Sequence, residues 1–107
     1  MDKDQAIQII IYECQELDGF LVKLRAKREF DSDRFKKLVD AIQIYRDGIV
    51  GEDCINRRIA GCLFYLVTIV ENMSQHFEHH NLPDKEKVTE AHSEIWNLVE
   101  SLYDVFT

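Results

Sequence analysis

INRRIAGCLFYLVTIVENMSQHFEHH, residues Ile55 to His80, is the stretch that decides the fold. It holds no proline and a single glycine, Gly61. Apolar residues recur at Ile55, Ile59, Cys62, Leu66, Ile69 and Met73, in steps of four and three. That spacing keeps them on one face of a 3.6-residue helix. A second line, Leu63, Val67, Val70 and Phe77, widens the face beyond a coiled-coil seam, as the middle of a bundle requires. The apolar run from Cys62 to Val70 is too short to cross a bilayer, which takes roughly twenty such residues. The stretch predicts a core helix about 39 Å long.

The segments on either side carry the same period. A first helix is expected from about Asp4 to Arg28, with Ile7, Ile10, Cys14, Leu17, Leu21 and Leu24 on its inner line. Gly19 interrupts it at a cost of about 1 kcal/mol relative to alanine, and marks a kink or a close contact. Phe30 to Asp33 reads as a turn with an N-cap at Asp31 or Ser32. A second, shorter helix follows to about Asp47, burying Phe35, Leu38, Ile42 and Tyr45. Gly48 stands where a left-handed cap is expected, and Asp53 where the central helix should be capped. Asn81, Leu82 and Pro83 end the central helix and start the last one. That last helix has an inner line of Val88, Ala91, Ile95, Leu98, Leu102 and Val105. A second line holds His92, Trp96, Val99, Tyr103 and Phe106. The fold class is therefore all-α: an antiparallel four-helix bundle with a shorter second helix, forming a single domain over residues 1–107.

Composition narrows the function classes. The 107 residues have room for one core, and 46% hydrophobic against 31% charged residues suits a folded domain. A net charge of −7 disfavours nucleic acid or an anionic membrane as the main partner. Cys14, Cys54 and Cys62 make an odd number without CxxC spacing, and read as reduced thiols in a cytoplasmic protein. The N-terminal MDKDQ lacks the basic-then-apolar order of a signal peptide.

The histidines are the one departure from plain packing. His76 and His80 continue the first apolar line of the central helix, with His79 beside them. Two histidines four apart on a helix can hold zinc or nickel, with His92 or Glu90 of the last helix completing the set. No glutamate follows His76, so the HExxH protease pattern is not met, and paired ExxH motifs of di-iron bundles are also missing. Histidines near a helix C-terminus also suit its negative end and its free carbonyls without any metal. Arg57 and Arg58 sit in the first turns of the central helix, where Asp53, four residues before Arg57, is placed to pair with one of them. Glu13 and Glu16 have ExxE spacing, but the downstream ExxD of metal-dependent nucleotide pyrophosphatases is missing.

Charge is divided along the chain. Lys23 to Lys37 holds seven basic and three acidic residues, whereas Glu71 to the end holds eight acidic residues and two lysines. With no nucleophile elbow and no phosphate loop in the sequence, the expected function is non-catalytic: protein binding, of the inhibitor, immunity, antitoxin or regulatory kind. The partner is expected to be a protein, basic in character, met by Glu86, Glu90, Glu94, Glu100 and Asp104 with Trp96 or Tyr103 as anchor. The outer aromatic line of the last helix, with Tyr12 and Phe20, offers a homodimer surface.

Overall fold

Helix signals are translated into five α-helices: α1 (Lys3–Gln15), α2 (Phe20–Lys27), α3 (Ser32–Gly48), α4 (Arg57–His79) and α5 (Lys85–Phe106). The computed structural model describes the backbone of residues 1–106 and the side chains of residues 1–102. α1 and α2 together are the expected first helix, broken in the middle. Four helical columns result, and they pack as a four-helix bundle of 43 × 26 × 19 Å.

The break has a steric and an electrostatic cause. Gly19 turns so close to α1 that a Cβ on it would lie 2.5 Å from the Tyr12 carbonyl oxygen and 3.0 Å from that of Glu13. Gly19 is also the N-cap of α2 and has no side chain to cap with. Glu13, buried at 1% exposure, takes over that task. Its Oε1 accepts the Phe20 N–H at 3.0 Å, and its Oε2 accepts Arg34 Nη1 of α3 at 2.9 Å. One carboxylate thus ties α1, α2 and α3 together. Leu17, expected on the inner line, falls in the break and is 81% exposed.

Contacts at the two ends fix the topology. Lys3 lies against Gly48 and pairs with Glu52, while Glu13 reaches Arg34, so α1 and α3 are antiparallel. Gln15 meets Arg58 and Cys62, and Arg28 meets His76, so the α1–α2 column runs parallel to α4. Ser74 and Thr89 are hydrogen-bonded at 3.1 Å, which sets α4 antiparallel to α5. α1 and α5 each pack on both α3 and α4, whereas the α1–α5 and α3–α4 pairs are diagonals. The connection from α3 to α4 must therefore cross one end of the bundle.

That crossing overturns two expectations. Gly48 stays in the helix, and the left-handed residue is Gly51, with φ +84°. Ile49 is buried below the turn, and the Tyr45 hydroxyl accepts the Asn56 N–H at 2.9 Å. Asn56 rather than Asp53 caps α4, accepting from the N–H groups of Arg58 and Ile59 at 2.9 and 3.2 Å. An amide three residues nearer the helix reaches its free N–H groups, and the Asp53–Arg57 pair does not form. Asp31 caps α3 as expected, through the Arg34 N–H at 3.1 Å. At the other end of α4, Asn81 turns left-handed at φ +51°. Leu82 then donates to the Phe77 carbonyl at 2.9 Å and Asn81 to that of Glu78 at 3.2 Å, which closes the helix with a Schellman motif.

The core runs the length of the bundle, from Ala6, Tyr45 and Ile59 to Phe77 and Val88. Phe20, Phe30 and Phe35 form an aromatic cluster with centroids 5.2–5.4 Å apart where α2 meets α3. Phe20 is fully buried there and so is no part of an outer dimer surface. No described helix is long and apolar enough to cross a membrane.

Candidate functional site

The two longest helices leave an apolar groove between them. Ile55, Leu63, Phe64 and Val67 line one wall, Trp96, Val99 and Leu102 the other, and its volume is about 450 Å³. Trp96 is 49% and Phe64 76% exposed. Two exposed aromatics facing one apolar groove are unusual for a surface that must only meet water. Glu71 of α4 and Glu100 of α5 also line it, so the rim carries carboxylates.

The acidic candidates Glu86, Glu90, Glu94 and Glu100 are all exposed on α5. Of these, Glu100 lines the groove together with Trp96, while Glu86, Glu90 and Glu94 do not. Tyr103 and Asp104 lie outside the residues whose side chains are described. Phe64 and Glu71 are groove residues from α4 that the apolar pattern does not single out, whereas Tyr65 lines a separate depression. The signal for Phe64 was present, since it is a large aromatic off both core lines of the central helix. Tyr65 is 40% exposed, and its hydroxyl accepts from Arg25 Nη1.

The histidines gather in part. His76 and His80 have ring centroids 4.5 Å apart, and His79 stands 4.9 Å from His80. Arg28 Nε donates to His76 Nε2 at 3.0 Å, so that imidazole nitrogen is already engaged. Burial, then the charge of Arg28 and of the neighbouring histidines, holds the His76 pKa below the usual imidazole value. The Ser74–Thr89 contact sets the α4–α5 register so that His92 lies beside Glu71, Trp96 and Asn97, further along α4 from the histidine pair. Among the described residues, no three His, Cys, Asp or Glu side chains form a group able to hold a metal ion.

A third patch surrounds Arg34. Its guanidinium meets Glu13, lies 3.7 Å from Asp18 and stacks 5.6 Å from the Tyr12 ring centroid. Tyr12 donates its hydroxyl to Asp18, and that hydrogen bond holds the Asp18 carboxyl below its ordinary pKa. Arg34 of α3 is thus held by Glu13 of α1, with Asp18 beside it, and the patch fastens α1 to α3. No protein-family model, no curated protein and no solved structure matches this chain.

Proposed function

We propose that the protein is a non-catalytic protein-binding module of the inhibitor or regulatory kind, and that the α4–α5 groove is its binding face. The observation that carries this reading is the half-exposed Trp96 facing Phe64 across an apolar groove with Glu71 and Glu100 at its rim. The matching occupant is an amphipathic helix with apolar anchors and basic flanks, supplied by a protein partner. Apolar anchors provide affinity by leaving water, while the net charge of −7 and the acidic α5 surface speed encounter and choose the sign of the partner. Glu86, Glu90 and Glu94, outside the groove, act in that steering.

Trp96 is the only tryptophan, so its fluorescence reports the groove directly. Titration with an amphipathic basic helical peptide is expected to blue-shift the emission, with affinity falling as salt rises. Phe64→Ser should abolish the shift, and Glu71→Lys with Glu100→Lys should weaken it at least tenfold. An unchanged spectrum at high peptide concentration, or binding indifferent to these substitutions, would count against the groove.

The 4.5 Å approach of His76 and His80 supports one second reading, a zinc or nickel site. Metal would have to displace Arg28 from His76, so Arg28→Ala should raise uptake in calorimetry on tag-free protein and His76→Ala should remove it. Heat unaffected by either substitution sets that reading aside.

A further inference from the structure

Two of the three cysteines meet across the seam between α1 and α4. Cys14 and Cys62 are buried, at 2% and 4% exposure, whereas Cys54 lies exposed in the crossing connection. Both buried thiols line a surface depression of about 480 Å³ together with Gln15 and Arg58. Gly61 keeps its mouth open, because nothing lies within 4 Å of where a Cβ would stand.

The surroundings treat the two sulfurs differently. Cys14 and Cys62 stand together in this depression, Gln15 Nε2 approaches Cys62 Sγ at 3.5 Å, and the Arg58 guanidinium adds positive charge nearby. All three favour a thiolate at Cys62, whose pKa is lowered to about 7 chiefly by the Cys14 hydrogen bond, against the opposing effect of burial. Cys14, as the donor, is held protonated and its pKa is pushed up. A nucleophilic thiolate beside a second, protonated thiol is the arrangement a sensing and resolving cysteine pair requires.

We propose that Cys62 and Cys14 form an oxidant-reactive pair that closes to a disulfide joining α1 to α4, with hydrogen peroxide as the oxidant. The Cys62 thiolate attacks one peroxide oxygen; the O–O bond breaks, hydroxide leaves, and Cys62 becomes a sulfenic acid. Cys14 Sγ then attacks Cys62 Sγ, the S–O bond breaks, and the departing hydroxide takes the Cys14 proton as water. Sulfur is oxidised by two electrons overall and peroxide is reduced. Arg58 and Gln15 act as positioning residues that keep the Cys62 sulfur charged.

The test uses folded full-length protein with peroxide, followed by alkylation and non-reducing peptide mapping. The expected product links the Cys14 and Cys62 peptides, has lost the mass of two hydrogen atoms, leaves Cys54 alkylatable, and reverts with dithiothreitol. Its rate should rise with pH around a midpoint near 7 and fall severalfold in Arg58→Ala. In Cys14→Ser the reaction should stop at a Cys62 sulfenic acid that dimedone traps, which keeps the idea open to refutation if Cys62→Ser misfolds. Oxidation of Cys54 alone, or a Cys14–Cys62 link that appears only in urea, overturns the proposal.

Discussion

Glu13 Oε2 lies 2.9 Å from Arg34 Nη1, with the carboxylate side chain 1% exposed and the guanidinium side chain 29% exposed. A charge taken out of water in this way is stabilising only while its partners stay in place. Glu13→Ala removes the acceptor of the Phe20 N–H and leaves a void, so it should cost about 2–4 kcal/mol. Glu13→Gln keeps an acceptor and should cost about half as much. Urea unfolding of the two variants checks the order.

Gly19 and Gly61 make opposite predictions from the same substitution. An alanine Cβ at Gly19 would meet the Tyr12 carbonyl oxygen at 2.5 Å, so α2 must shift away from α1, at roughly 2–3 kcal/mol. At Gly61, mid-helix and exposed, the added Cβ meets nothing, and alanine should stabilise by about 0.5–1 kcal/mol. Thermal midpoints moving in the same direction would contradict this account of the break.

Acid should weaken the bundle in two separate windows. His76 has a lowered pKa in the fold, from burial first and Arg28 next, so the unfolded chain takes up its proton first as pH falls below about 6.5. Stability is then lost on the way down to the folded value, and His76→Gln should flatten the loss that begins below about pH 6.5. Asp31 is shifted down mainly by the Arg34 N–H, and Asp18 mainly by the Tyr12 hydroxyl. Their contribution is present above the ordinary carboxylate range, about 4, and disappears only as pH falls through their lower folded values. Unfolding midpoints across a pH series separate the two windows.

The groove aromatics should matter more to association than to folding. Trp96 is already half in water, so Trp96→Ala should cost the monomer about 1 kcal/mol. Any homodimer through this face should dissociate in light scattering on the same substitution, while the circular dichroism spectrum stays helical. A dimer that survives Trp96→Ala and Phe64→Ser uses another surface.

Much of the fold was legible because helical periodicity is local. The apolar steps of α4 and α5, the cap at Asp31 and the stop at Asn81 are each set by residues within a few positions of one another. The candidate site was legible only in part. Trp96 stood out as an outer aromatic and Glu100 as an acidic neighbour, but their groove needs Phe64 and Glu71 from the helix opposite. No spacing along one helix states which residues of another will face it.

The sequence by itself determined an all-α bundle, the placement of most helix ends, and an acidic terminal helix, since backbone hydrogen bonding and amphipathic period act over a turn or two. Tertiary structure decided the rest. It turned the costly Gly19 into a helix break by setting the Tyr12 carbonyl against it, and buried Glu13 where two helices need its oxygens. It drew Phe20 inward, left Phe64 outside, and brought Cys14 to Cys62 across 48 positions of chain. These outcomes depend on the diagonal crossing from α3 to α4, which selects the neighbours of each face. That selection is made by the packing of whole helices, and each helix carries only its own half of it.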